Sequence, residues 1–184
     1  MTKSILSIAA LALALSSCQS PTDPFIIQKH NIGLLTDSTR VKDLNLAFPN
    51  DSIVQFKKGD EFRSGANKID IYAKGGDKLL SLSTSQILDS TAVIKNVQIL
   101  DSRYKTDKGI SAISSFKDIS ENYTISKINN LISNIVISVD EINASFTIDK
   151  KELPANLRFD LNLNIESSQI PDNAKVKFFM LHWL

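Results

Sequence analysis

Two stretches of the chain share one pattern, and this pattern constrains the fold more than any other feature. The segments GLLTDSTRVKDLNLAF, beginning at Gly33, and GISAISSFKDISENY, beginning at Gly109, align with a gap of one residue. Each starts with glycine, continues through residues typical of helix caps (37–39 and 114–115), and ends with an aromatic side chain. We interpret the similarity as an internal duplication. The alternative is a coincidence between two unrelated short amphipathic helices.

Both segments predict a short helix that is followed by strands. Residues at positions i, i+3 and i+7 mark one helix face in each segment: Val41, Leu44 and Phe48, then Phe116, Ile119 and Tyr123. Apolar or β-branched stretches predict strands at 53–56, 68–73, 79–84 and 92–100, then at 124–128, 135–139, 142–148 and 175–183. Gly75-Gly76 predicts a hairpin, and the apolar final strand is expected at the centre of a sheet. The sequence therefore predicts an α+β fold of two tandem repeats, each a short helix followed by antiparallel strands, forming one domain.

The first eighteen residues indicate export and attachment. Lys3 precedes an apolar run from Ile5 to Leu15, and Leu15-Ser16-Ser17-Cys18 follows directly. A run of about eleven residues has signal-peptide length and is too short to cross a bilayer core, which needs about twenty. The alternative is an ordinary secretory signal cleaved at Ser17, which would leave Cys18 as a free thiol.

These residues resemble the lipobox of bacterial lipoproteins. The resemblance implies that residues 1–17 are removed as a signal peptide, that the Cys18 thiol receives a diacylglyceryl group, and that the new amine is acylated. Residues 18–24 would then be the lipidated cysteine and a polar linker. Residues 25–184 would form the single domain, with repeats of about 25–101 and 102–184. Gln19 follows the cysteine, which by resemblance to enterobacterial lipoproteins implies the outer membrane. Some Bacteroidota lipoproteins reach the cell surface through acidic residues close behind the cysteine, and only Asp23 could serve here, so we expect the periplasmic face.

The rest of the chain carries two further resemblances. It is similar to uncharacterised Bacteroidota lipoproteins, especially at Asp101–Ile110 (DSRYKTDKGI) and Ile170–Lys175 (IPDNAK). The units that begin at Gly33 and Gly109 resemble the tandem repeats of β-lactamase-inhibitor-like proteins and of a small outer-membrane assembly lipoprotein. Neither resemblance implies a catalytic activity.

Charge and cysteine content exclude several classes of protein. Lys3 is the only charged residue before Cys18, so the mature chain would carry 20 basic and 20 acidic side chains. A formal charge of zero gives no reason to expect nucleic acid as a partner. Cys18 is the single cysteine, so packing must stabilise the domain without disulfides. The membrane, reached through the lipid anchor, is the one partner that the sequence predicts directly.

The sequence contains no recognisable catalytic or metal-binding motif. His30 and His182 belong to no spaced motif such as His-Glu-x-x-His, so we predict no metal site and no cofactor. The serines form no Gly-x-Ser-x-Gly elbow. Adjacent acids at 60–61 and 140–141 are interpreted as solvated turns. A nucleophile and a histidine that come together only in space stay open as an alternative.

One polar stretch is the best candidate for contact with a partner. Residues 101–108 (DSRYKTDK) join the two repeats and place Arg103, Lys105 and Lys108 around Tyr104. Arginine and tyrosine dominate many interfaces, and arginine pairs well with carboxylate or phosphate. The alternative is a solvated loop in which Tyr104 packs against the protein itself. We therefore expect a lipid-anchored, non-enzymatic binding or scaffold module for an envelope protein or polymer; the alternative is an envelope hydrolase with a spatially assembled site.

Overall fold

Two β-sheets dominate the structure, a computed structural model that describes residues 23–55, 68–84, 86 and 89–183. The larger sheet has eight antiparallel strands in the order β4-β5-β6-β7-β12-β11-β10-β9. These strands are β4 Ser52–Gln55, β5 Lys68–Tyr72, β6 Lys78–Thr84, β7 Ile94–Ile99, β9 Lys127–Asn130, β10 Asn134–Val139, β11 Ala144–Asp149 and β12 Val176–His182. The smaller sheet, in the order β3-β2-β1-β8, contains β1 Ile26–Ile27, β2 Asn31–Ile32, β3 Leu35–Thr36 and β8 Lys105–Thr106.

Helices contribute little of the described structure. They are α1 Leu44–Ala47, α2 Phe116–Asn122 and the 3-10 turns Val41–Asp43, Asp140–Ile142, Lys150–Glu152, Ala155–Leu157 and Ser167–Gln169. The predicted α+β class is therefore wrong, because the protein is mostly β. The predicted repeat of a helix followed by strands is also not observed, since α2 is the only helix of more than about one turn in the described part of the chain.

Local capping explains why the first predicted helix is so short. Residues 37–39 were expected to cap it, but the segment starts after Arg40 and no side chain caps it. The Thr39 hydroxyl instead accepts a hydrogen bond from the Thr36 amide (2.9 Å). At α2, Asp118 accepts from the Ser115 amide (2.7 Å) and its own amide donates to Ser115 Oγ (3.4 Å), which completes a capping box. Matching sequence patterns thus gave unequal helices.

The eight-stranded sheet consists of two antiparallel meanders, β4 to β7 and β9 to β12, that meet where β7 pairs with β12. Two predictions within it are confirmed. The Gly75-Gly76 turn joins β5 to β6, and the apolar final strand is central, between β7 and β11. A row of cross-strand neighbours at this junction is buried: Leu80, Ile99, Phe179 and Phe146.

One face of the large sheet packs into the core, and the other carries partly exposed side chains such as Gln98 and Met180. Val97 and Ile99 on β7 and Phe179 and Leu181 on β12 point into a single core. The small sheet, α2 and the segment 150–175 contribute the facing side chains, among them Ile27, Ile119, Leu157 and Ile170. Because side chains alternate along a strand, the residues between the buried ones lie on the outer face. We call these the inner and outer faces.

The two ends of the large sheet are different. We call the end with turns 73–77 and 131–133 the proximal end, and the end with turn 140–143 and Trp183 the distal end. Strand β1 runs from proximal to distal across the inner face. Phe25 lies near Ala73 and Leu79, whereas the Lys29 carbonyl accepts a hydrogen bond from Trp183 Nε1 (3.1 Å). The chain therefore enters the described fold at the proximal end.

Several sequence predictions lie outside the described residues. These are the signal peptide, Cys18, most of the linker and the acids at 60–61. Among the helices that are described, none has the length and apolar character needed to span a membrane.

Candidate functional site

A cavity of about 410 Å³ opens at the proximal end, between the small sheet and the strands β5 and β6. Its volume lies in the range of small-molecule sites, about 300–1,000 Å³. Most of its lining is apolar: Pro24, Phe25, Ile32, Leu34, Ala47, Phe48, Pro49, Ala73 and Leu79. Asn50, Asp51, Arg103 and Tyr104 add the polar groups. This composition suits a ligand with an apolar body and a polar end.

Arg103 is the fixed cation of the cavity. Its Nε donates to Asp101 Oδ1 (3.0 Å) and its Nη2 donates to Asp101 Oδ2 (2.8 Å). The guanidinium carbon also lies 4.8 Å from the centre of the Phe25 ring. The hydrogen bond from Arg103 lowers the pKa of Asp101, so this carboxylate stays charged. The bidentate pair orients the guanidinium, and Nη1 takes no part in that pair.

Tyr104 is a wall of the same cavity. It is only 2% exposed, and its ring meets Phe25 edge-on with centroids 5.1 Å apart. Burial raises the pKa of Tyr104 to about 12. A partner at this surface would therefore meet Arg103 and not the face of Tyr104, which packs against the protein itself.

Lys105 and Lys108 do not line the cavity. Lys105 is exposed on β8. Lys108 lies toward the distal end, where its Nζ donates to the Asn122 carbonyl (2.7 Å) and to Glu141 (3.2 Å) and stands 4.2 Å from the Tyr123 ring centre. Arg103 and Tyr104 thus line the cavity, whereas Lys105 and Lys108 line a separate shallow depression beside α2. Partner binding by any of them stays a prediction.

A second cluster lies on the outer face and joins four strands. His182 on β12 has its Nε2 2.7 Å from Ser145 Oγ on β11 and its Nδ1 2.8 Å from Asn96 Oδ1 on β7. The Asn96 amide nitrogen donates to Ser83 Oγ on β6 (3.4 Å). Ser145 is 8% exposed, and His182 and Asn96 are half-buried.

This hydrogen-bond order assigns the roles of the groups. Because the Asn96 nitrogen faces Ser83, its oxygen faces His182 and must accept from Nδ1–H. Nε2 of the neutral ring then accepts from the Ser145 hydroxyl. Burial lowers the pKa of His182, which favours this neutral form. A hydroxyl, a base and a group that orients the base are the components of an activated serine.

Sequence reasoning left such a cluster open but could not find its members. Asn96 and His182 are 86 residues apart, and Ser145 and His182 are 37 apart. No local motif joins them, and only the pairing of β7 and β11 with β12 brings them together. The alternation of the final strand, with His182 between Leu181 and Trp183, was the single available signal.

Two buried polar atoms are unpaired within the described ranges. Lys150 Nζ and Asn130 Oδ1 have no hydrogen-bond partner there, and Lys150 is 4% exposed. Both lie at the proximal end, since Asn130 ends β9 and the Lys150 amide donates to Ser133 in the turn after it (3.0 Å). In that same part of the chain, no group of three His, Cys, Asp or Glu side chains is placed to hold a metal ion.

Comparisons with known proteins show similarity in fold and no family. No family model matches the sequence, and no curated protein matches it. A similar solved structure is that of the uncharacterized protein yfeY from Escherichia coli, with a TM-score of 0.53 and 16% identity. The likeness covers 85% of this chain and 98% of that one. At this identity it shows a shared fold alone.

Proposed function

We propose that this protein is a binding module held at the outer membrane by lipid on Cys18, with the proximal cavity as its binding site. The cavity is the observation that carries the proposal. It is the place where an apolar lining and fixed polar groups converge, and Pro24, six residues after Cys18, forms part of it. A tether so close to the site holds the cavity near the bilayer.

The charges at the cavity favour an amphiphile with a zwitterionic head. Arg103 supplies one cation, while Asp51 and Asp101, the partner of Arg103, supply two anions, so the site calls for a cationic group on the ligand as well as an anionic one. Arg103 Nη1 suits a phosphate oxygen, and the Asp51 carboxylate suits an ammonium group. The apolar lining takes the hydrocarbon chain. The ligand class is thus a single acyl chain that ends in a phosphate and an amine.

A neutral dye tests whether the cavity binds apolar groups. N-phenyl-1-naphthylamine becomes fluorescent in apolar surroundings, so its emission should rise with the wild-type protein. Ala73→Phe adds a ring inside the cavity and should abolish that rise, whereas Ala155→Phe, at an exposed alanine elsewhere, should not. Unchanged melting temperatures would show that both variants are folded. Full dye binding by Ala73→Phe would contradict the cavity assignment.

Displacement of the dye tests the head group. Dodecanoyl lysophosphatidylethanolamine should displace it better than dodecanoate, because only the former matches both charges. Arg103→Gln should weaken displacement by the lysolipid and leave binding of the dye unchanged. Arg40→Gln, at an exposed arginine, is the control and should leave both unchanged. Stronger displacement by dodecanoate than by the lysolipid would contradict the zwitterionic head group and indicate a ligand with a simple anionic head.

The outer-face cluster supports a second candidate function, hydrolysis of an ester through Ser145. The Ser145 oxygen would form a bond to the acyl carbon as its proton moves to His182 Nε2. That proton then passes to the leaving alcohol as the ester bond breaks. Water, deprotonated by His182, releases the acid and restores the serine. Asn96 holds the ring and its tautomer throughout.

A fluorophosphonate probe tests this second function, because it labels activated serines covalently. Ser145→Ala and His182→Gln should lose the label. Ser138→Ala, which changes the serine directly opposite Ser145 on β10, should keep it. An unlabelled wild-type protein, or equal labelling of Ser145→Ala, would exclude the hydrolase.

A further inference from the structure

Four of the ten exposed large apolar side chains among the described residues lie together at the proximal end, on the side of the sheet away from the cavity. We define the proximal rim as Leu131 and Ile132, in the turn between β9 and β10, with Phe159 and Leu161 in the following connection. Ile132 is 80% exposed and Phe159 is 85% exposed. Exposed clusters of this kind mark interaction surfaces.

Hydrogen bonds hold the two parts of the proximal rim together. The Asn130 side-chain nitrogen contacts the carbonyl oxygens of Asp160 (3.0 Å), Leu161 (3.4 Å) and Leu163 (2.9 Å). Arg158 fixes the start of this segment through its Nε, which donates to the Leu153 carbonyl (2.7 Å). Leu161 consequently lies beside Leu131 and Ile132, with which it lines a shallow depression.

Basic groups flank this apolar surface. The segment before Phe159 contains three basic residues, Lys150, Lys151 and Arg158. The acidic residues there are Glu152 and, directly after Phe159, Asp160. Asp149 is already paired with Lys177 (3.0 Å). Lys150 is only 4% exposed and its Nζ is buried, so the cations at the surface here are Lys151 and Arg158. Apolar side chains bordered by cations are typical of surfaces that lie in a membrane interface.

The position of the tether identifies the occupant of this surface. Cys18 precedes Pro24 by six residues, a length that reaches at most about 21 Å. Pro24 lies at the proximal end, and so does the proximal rim. We propose that the proximal end rests on the bilayer, with the proximal rim inserted at the boundary between head groups and acyl chains. This inference rests on the lipid anchor of the proposed function and adds the orientation of the domain.

Environment-sensitive labels at opposite ends test the orientation on the full lipidated protein. Nitrobenzoxadiazole would be attached to Ile132→Cys at the proximal rim or to Ser90→Cys, an exposed residue in the distal β6–β7 connection. The proteins are reconstituted in vesicles of phosphatidylethanolamine and phosphatidylglycerol. The label at position 132 should gain intensity, shift to the blue and be quenched by spin-labelled lipid. The label at position 90 should keep the intensity and emission wavelength of a label in water, and spin-labelled lipid should not quench it.

Each other outcome overturns the inference in a distinguishable way. If the protein sediments with the vesicles, yet position 132 behaves like position 90, the orientation is wrong and the anchor stands. If Cys18 itself takes up the label and the protein stays in solution, the anchor and the orientation both fail. If the blue shift appears without vesicles on raising the concentration of protein that carries Cys18→Ser and therefore no acyl chains, the proximal rim joins two copies of the chain. In Ile132→Cys protein, Phe159→Ser with Leu161→Ser should reduce the shift.

Discussion

At the residue scale, the two glycines that begin the similar segments have different requirements. Gly33 and Gly109 both have positive φ, 53° and 81°. A Cβ at Gly33 would also lie against the carbonyl oxygen of Pro24, whereas a Cβ at Gly109 meets open space. Glycine is thus required at position 33 for two reasons: its backbone has a positive φ, and Pro24, which lines the cavity, lies too close for a side chain.

Alanine substitutions separate these two requirements. Gly109→Ala should lower the free energy of unfolding by about 1–2 kcal/mol, the usual cost of a left-handed residue with a side chain. Gly33→Ala should cost more, because the backbone at Pro24 must also move. Chemical denaturation measures both values. Equal losses would show that the contact with Pro24 has no energetic weight.

His182 gives the domain a dependence on pH. Burial lowers the pKa of His182 in the folded protein below its ordinary value of 6.5. As pH falls, the unfolded chain binds this proton first, so the stability is complete above about pH 6.5 and is lost as pH falls through the lowered value. His182→Gln should flatten this decline in denaturation curves. A decline that persists unchanged in His182→Gln would refute the assignment.

At the element scale, the strands could be read from the sequence better than the helices could. Alternating apolar and polar residues, bounded by turn residues, place β5, β6 and β12 correctly. Such alternation predicts strands well because one face of each strand is buried in the core. The first predicted helix is hardly formed, although its apolar spacing and its apparent cap residues both favoured it. The Thr39 hydroxyl accepts a hydrogen bond from the Thr36 amide, and no side chain caps the segment that starts after Arg40. For the site, the sequence predicted Arg103 and Tyr104 as contact residues of a polar loop, but the cavity that they line is formed by long-range packing that no local pattern encodes.

Adjacent phenylalanines on β12 test which face of the strand is packed. Phe179 is fully buried and stacks on Phe146 with ring centres 4.5 Å apart, whereas Phe178 is 41% exposed. Phe179→Ala should cost roughly 3–5 kcal/mol of unfolding free energy, and Phe178→Ala less than about 1 kcal/mol. Thermal or chemical denaturation compares them. A larger loss for Phe178→Ala would mean that the strand register is wrong.

At the scale of the whole molecule, the junction of β7 with β12 joins the two meanders into one sheet. Separation of residues 25–101 from 102–184 would turn both strands into unpaired apolar edges. If the chain forms one domain, residues 25–101 expressed alone should be poorly folded and show no sharp thermal unfolding transition. A cooperative transition near that of the full chain would indicate two independent domains instead.

We propose that the whole molecule works as a tethered module, with its cavity and proximal rim turned toward the membrane by lipid on Cys18. Mass spectrometry of the N-terminal peptide from the protein made in a bacterial host tests it most directly. We expect a peptide that begins at Cys18 and carries a diacylglyceryl group together with an amide-linked acyl chain. An unmodified Cys18, or a mature chain that begins elsewhere, would contradict it.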